Sequence, residues 1–228
     1  MSEQAVIATP RRVRTRSLAP APGSALSALA VAGALLVALA AVWALSSQVE
    51  AIRLKDAVVL YHFTTLDTAT LDAPLKFLLH LLDPALFVLW GVALVALALA
   101  GDRPRKALAV AGVLTLAPFT AEQLKPLLAH QHDDVNFVTV NPASWPSGHS
   151  TAAMALALCA VLVSGPRLRP VVAVAGGLYV AAVCVGLLVL DWHMPSDVIG
   201  GVLVASFWMA LAVAALRASE RVFPPRSR

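Results

Sequence analysis

Residues 146–197, PSGHSTAAMALALCAVLVSGPRLRPVVAVAGGLYVAAVCVGLLVLDWHMPSD, decide the fold. Two apolar runs, 148–163 (extending to Ser164) and 171–190, are separated by a short turn carrying Arg167 and Arg169. A third run begins at Pro195. Apolar runs of roughly 18 residues read as transmembrane helices. The chain therefore crosses a bilayer and returns. This brings Pro146-Ser147-Gly148-His149 and His193-Met194-Pro195-Ser196-Asp197 to the same membrane face. A lone histidine at a span end is ordinarily an interfacial residue; two that return to one face point to chemistry.

Working outward, further apolar runs occupy 24–45, 75–100 and 107–124, and the run from Pro195 extends to 216. The expectation is an all-α fold, an integral membrane bundle of six transmembrane helices. A chain that is 59% hydrophobic and 13% charged, with a mean hydropathy of +0.80, excludes an ordinary soluble domain. Spans and short connections consume the sequence, giving one membrane domain over 24–216. A basic tail over 1–23 reads as disordered and cytoplasmic, and 217–228 as a second cytoplasmic tail. Residues 57–63 are too short to span and read as an interfacial helix, with Tyr61 and Phe63 at headgroup level. Asp83-Pro84 and Pro118 lie inside predicted spans, where proline frees a carbonyl and permits a kink. The first run is longer than a signal-peptide core and follows four arginines, which suits a retained anchor.

Positive charge sets the orientation. Arg11, Arg12, Arg14 and Arg16 precede the first span, Arg103, Arg105 and Lys106 separate the second from the third, and Arg217, Arg221, Arg226 and Arg228 follow the sixth. The opposite face holds Arg53, Lys55, Lys76 and Lys125. Both termini are expected in the cytoplasm of a multi-pass plasma-membrane protein. The basic balance reflects this asymmetry, and no nucleic-acid partner is implied. All six histidines fall on the outer side or in the outer ends of spans. Cys159 and Cys184 lie inside spans as small core residues and form neither a disulfide framework nor a zinc site.

The chemistry follows from residue type and spacing. Ser147 and Gly148 stand at a helix start, where unsatisfied N–H groups and the helix dipole favour an anion. His149 follows immediately. His193 has Asp197 one helical turn on, with Pro195 where a helix begins. A carboxylate there can accept the Nδ1 proton and leave Nε2 free as nucleophile or base. Lys125 ends the third span on the same face, as a snorkelling residue or a phosphate clamp.

Lys125, then Pro146-Ser147-Gly148-His149, then His193-x-x-x-Asp197, in that order, resembles the phosphatidic acid phosphatase type 2 superfamily. This family has six-span membrane members and shares ancestry with soluble acid phosphatases and vanadium haloperoxidases. The resemblance runs roughly from Lys106 to Leu216. It implies that His193 attacks phosphorus and carries a phosphohistidine, that Asp197 orients it, and that His149 protonates the leaving group. Lys125, Ser147 and Gly148 would hold phosphate oxygens. No cofactor and no metal is implied, because fixed donors handle the charge.

The sequence also departs from the family pattern K-x6-R-P, P-S-G-H, S-R-x5-H-x3-D. His132 and Asp133 stand where the first motif has Arg-Pro, and Gly186-Leu187 where the third has Ser-Arg. His132, or His130 if the loop is shorter, is the candidate to supply the missing positive charge to a bound phosphate. The leading expectation is a lipid-phosphate phosphatase acting at the outer face on a phosphomonoester or diphosphate: a polyprenyl phosphate or a phosphatidic acid-like lipid. The missing arginines motivate a second reading, a relative that binds a lipid phosphate or a partner membrane protein without turnover. His130-x-His132-Asp133 offers a third, a metal site.

Overall fold

The computed structural model describes residues 23–131 and 140–222. The basic tail expected over 1–23 therefore lies almost wholly outside the described residues, as do His132 and Asp133. Among the described residues there are eight α-helices and no strand: α1 (Ala25–Gln48), α2 (Glu50–Thr64), α3 (Ala69–His80), α4 (Pro84–Ala100), α5 (Pro104–Leu127), α6 (Gly148–Val163), α7 (Arg169–Val189) and α8 (Pro195–Val222).

The run expected as one span over 75–100 is two helices, α3 and α4, bent by 53°. Asp83-Pro84 is the cause. Proline disfavours helical backbone in the residue before it and brings no N–H of its own, so α4 restarts with Pro84 in its first turn. The indole Nε1–H of Trp90 donates to the freed carbonyl of Leu81 at 3.1 Å. Pro118, by contrast, is carried inside a continuous α5. The segment 57–63 lies within α2, and α8 runs past residue 216 to Val222.

Four helices, α1, α5, α7 and α8, are long and apolar enough to cross a membrane, and the α3–α4 pair makes five if it counts as one span. α6 has 16 residues, which at 1.5 Å per residue is about 24 Å, short of the roughly 30 Å hydrocarbon layer. Its surroundings explain how a short helix serves. It packs against α4, α5, α7 and α8, and Ser150, Thr151, Ala153, Ala155 and Cys159 are fully buried on it. Small side chains let backbones approach closely where two helices meet within a membrane.

Two apolar clusters meet at α6. One gathers Leu39, Val110, Val113, Cys159, Val204 and Met209 from α1, α5, α6 and α8. The other gathers Leu60, Leu79, Val183, Leu187, Met194 and Val198 from α2, α3, α7 and the start of α8. Outward-facing residues are also apolar, with Leu108, Val37, Leu178 and Val171 largely exposed. Such a surface suits lipid and not water.

The basic connections cap a helix. Arg103 donates to Val163 O at 3.0 Å and Lys106 to Leu162 O at 2.9 Å, so cations from α5 cover the carbonyls at the C-terminus of α6. His149, at the opposite end of α6, is thereby remote from those basic loops. At the N-terminal edge of the bundle, Arg217 of α8 donates to Ser24 O at 3.2 Å, tying the last helix to the cap of the first.

Candidate active site

The first turns of α6 and α8 carry the two sequence motifs. Ser147 caps α6: its Oγ accepts the Ser150 N–H at 3.4 Å and its carbonyl accepts the Thr151 N–H at 3.1 Å. The hydroxyl is fully buried in this role. The N–H groups of Gly148 and His149, which a helix start leaves without intrahelical partners, lie beside a cavity that both residues line.

α7 ends and α8 begins in five residues. Trp192 N–H donates to Leu187 O at 3.0 Å and Asp191 N–H to Leu188 O at 3.3 Å, the paired bonds of a Schellman stop. Asp191 occupies the left-handed position, with φ 57°, where glycine is usual and aspartate tolerable. Burial raises the Asp191 carboxyl above its ordinary pKa. The turn delivers Trp192 and His193 to the mouth of α8. There Asp197 is fully buried, and its Oδ2 lies 3.3 Å from His193 Nδ1 and accepts the Met194 N–H at 3.0 Å. A carboxylate opposite Nδ1 favours the tautomer with its hydrogen on that nitrogen, which leaves Nε2 bare.

A cavity of about 720 Å³ brings together Lys125, Gly148, His149 and His193 with Trp192, Glu122 and Asp83. Its apolar wall is Leu82, Pro84, Phe87, Pro118 and Ala152. The rings of His149 and Trp192 are tilted against each other with centroids 5.7 Å apart. Lys125 Nζ sits 2.6 Å from Glu122 Oε1. A Cβ on residue 148 would come within 3.0 Å of that carboxylate and 3.6 Å of the ammonium, so glycine is what lets the ion pair lie over the start of α6. A second cavity, of about 480 Å³, shares His149, Trp192 and Asp83 and adds Lys76 and His80. His80 is ion-paired with Asp83.

Of the residues expected at the site, His193, His149, Lys125 and Gly148 share the cavity, and Asp197 stands directly behind His193. Ser147 does not line it, its hydroxyl being used as the cap. His130 does not line it either: its backbone N–H donates to Pro142 O and its Nδ1 lies 3.0 Å from Leu128 O. His132 is outside the described residues. The place of the third-motif arginine is filled by apolar packing, since Leu187 is fully buried and a Cβ on Gly186 would meet Leu75 Cδ2 at 3.3 Å. Sequence reasoning missed Glu122, Asp83 and Phe87. The signal for Glu122 was its spacing, three residues before Lys125 on one helix face.

The PAP2 superfamily pattern matches residues 99–221, which contain all of these motif residues. The chain belongs to the PAP2 superfamily. The crystal structure of the first transmembrane PAP2 type phosphatidylglycerolphosphate phosphatase, from Bacillus subtilis, shares the fold of this PAP2 protein. Its TM-score is 0.66 at 19% identity, over 86% of this chain and 98% of that one. No curated protein sequence matches the chain. The apolar helices and this shared fold make it a multi-pass membrane protein.

Proposed function

We propose that this PAP2 protein is a lipid-phosphate phosphatase that hydrolyses a phosphomonoester or diphosphate through a phosphohistidine intermediate. The observation that carries the reading is one cavity lined by both His193 and His149, with a buried carboxylate behind the first and a lysine beside the second. His193 Nε2 attacks phosphorus as the bond to the lipid oxygen breaks, and His149 gives that oxygen its proton. Water then attacks the phosphohistidine, returning a proton to His149 and releasing inorganic phosphate and free His193. The N–H groups at the start of α6 and the Lys125 ammonium take the phosphoryl oxygens, where fixed donors stabilise developing charge. The apolar wall of Leu82, Phe87 and Pro118 suits the lipid end of the substrate. Polyprenyl phosphates and diphosphates, phosphatidic acid and phosphatidylglycerol phosphate are the substrates to try.

The same reading includes six crossings, with α3–α4 as one broken span and α6 as a short internal one, both termini in the cytoplasm and the cavity at the outer face of the plasma membrane. The cavity's position at the end of α6 remote from Arg103 and Lys106 supports it.

Two observations favour a second reading, binding without turnover. The third-motif arginine is replaced by apolar packing and Lys125 is engaged by Glu122, so fewer strong donors await a phosphate. Inorganic phosphate release from a panel of lipid phosphates in detergent, wild type against His193→Ala, separates the two. Release by wild type alone supports the phosphatase; none from any substrate leaves the binding reading.

A further inference from the structure

The hydrolytic scheme leaves one largely buried carboxylate unused. Asp56 belongs to α2, on the face that buries Ala57 and Leu60 completely. Its Oδ1 accepts the Ser196 backbone N–H at 3.1 Å and its Oδ2 the Ser196 hydroxyl at 2.5 Å. Ser196 is the second residue of α8.

A helix start needs acceptors for its first N–H groups, ordinarily supplied by a Ser, Thr, Asp or Asn at the cap. Here the residue before Pro195 is Met194, whose side chain has no oxygen. Pro195 has no N–H to satisfy. Asp197 reaches back to the Met194 N–H at 3.0 Å, one half of a capping box, while its own N–H goes to Met194 O at 3.0 Å. The Ser196 N–H is met from a different helix, by Asp56. The Asp197 oxygen that receives Met194 is also the one opposite His193, at 3.3 Å. That distance is at the long end of hydrogen bonding, so a small rotation of the first turn breaks it.

We propose that Asp56 is a positioning residue for the site: by accepting both Ser196 hydrogens it fixes the first turn of α8, and through it the Asp197–His193 hydrogen bond that leaves Nε2 bare. This rests on His193 being the reactive imidazole. The charged groups facing Asp56 from neighbouring elements are Asp197 on α8 and His130 in the segment after α5. The Asp56 carboxyl is raised to about 6, chiefly by burial and in smaller part by Asp197, against the two Ser196 bonds and His130, which pull it down. Above that pH both oxygens accept from Ser196. Below it one oxygen carries a hydrogen, and the double acceptor is lost.

The test uses the full chain in detergent, with ¹⁵N-labelled histidine, as wild type, Asp56→Asn, Ser196→Ala and the double variant. Wild-type His193 should be in the Nδ1–H tautomer. Asp56→Asn should raise the other tautomer and lower kcat about 10- to 100-fold, the scale of a small misplacement at a reacting group, with KM within about twofold. It should also remove a shoulder near pH 6 from the acid limb of kcat. The double variant should be no worse than Asp56→Asn, since the two act along one path. If Asp56→Asn fails to fold, Ser196→Ala carries the same tautomer comparison. Wild-type tautomer ratios in the variants, or losses that add in the double variant, overturn the proposal. Absence of turnover in wild type overturns the phosphatase reading alone, and the tautomer ratios then decide the role of Asp56.

Discussion

The backbone N–H of Ser147 donates to the backbone carbonyl of Asp197 at 2.9 Å, so the cap of α6 is joined to the first turn of α8 where the two histidine motifs sit. Ser150 Oγ–H adds a bond to Val198 O at 3.0 Å. Motifs far apart in sequence are therefore joined through a backbone hydrogen bond as well as through side chains. Reacting groups held this way lose little freedom when substrate binds.

That junction depends on Gly201. A Cβ there would collide with Ser147 O and Ser150 Oγ and lie 2.9 Å from Thr151 Oγ1. The first of these is backbone and cannot rotate away. Gly201→Ala should cost at least the 1–3 kcal/mol typical of overpacking, lowering the thermal midpoint in detergent and any activity with it. Gly33→Ala is the control, because nothing lies within 4 Å of its added methyl. Equal midpoints for the two variants would show that α6 and α8 can separate without consequence.

If the proposed mechanism holds, the two histidines should fail differently. His193→Ala would then remove the nucleophile and abolish phosphate release from every substrate. His149→Ala removes the proton given to the leaving oxygen, a contribution of roughly 10²–10⁴-fold. That loss should appear in full with lipid alkoxide leaving groups and be partly spared with an activated aryl phosphate. Equal loss for both leaving groups would assign His149 some other role.

If Lys125 holds phosphate as proposed, Glu122 competes for it. Its pair is short, at 2.6 Å, but the carboxylate is 57% exposed, and exposed pairs are worth about 0.2–1 kcal/mol. Glu122→Gln should therefore lower KM by a modest factor, about 1.4- to 5-fold on that scale, with kcat little changed. The advantage should shrink at high salt as the wild-type pair is screened. An unchanged or raised KM would mean that Glu122 helps the substrate.

Much of this was legible in the sequence because bilayer physics is written in long runs. The apolar segments and the Asp83-Pro84 break both act within a few neighbouring residues. His193 and Asp197 were legible for the same reason, since one helical turn separates them. Ser147 was read as a phosphate donor because its type and position fit; its use as an inward cap depends on α8 lying across it. Asp56 was invisible as a site residue, because its partner Ser196 is 140 positions away and no local pattern announces a cap supplied by another helix. The bounds of α6 were legible as the apolar run 148–163, but its enclosure by four other helices was not, because two of those neighbours, α4 and α8, are distant in sequence.

Asp191 gives a stability test at the same turn. It holds φ 57°, which glycine adopts without steric cost, and its Oδ1 is buried without a hydrogen-bond partner among the described residues. Because its pKa is raised in the fold, the native state binds the proton more tightly than the unfolded chain does. Stability at this group is therefore highest at low pH and falls as pH rises from the unfolded value toward the folded one. Asp191→Gly relieves a left-handed backbone cost of about 1–2 kcal/mol against an added unfolded-chain entropy cost of about 0.5–1 kcal/mol, so it should stabilise modestly, more at neutral than at acidic pH. A destabilised variant with the same turn would reveal a partner for the carboxylate.

Orientation is tested with single cysteines at exposed connections. Asp67 lies between α2 and α3, on the face expected to be outside, and Leu168 lies in the basic α6–α7 turn on the other. Of the native thiols, Cys159 is buried and Cys184 partly so, both within apolar helices, and alanine at each removes the background. An impermeant maleimide applied to intact cells should label Asp67→Cys and spare Leu168→Cys until the membrane is opened. The arginine distribution predicts this because cytoplasmic loops retain positive charge. His149 and His193 lie at the ends of α6 and α8 remote from that turn, so under the proposed function the labelled side is the side from which a headgroup would enter. The reverse pattern would turn the cavity toward the cytoplasm and require a substrate presented from the inner leaflet.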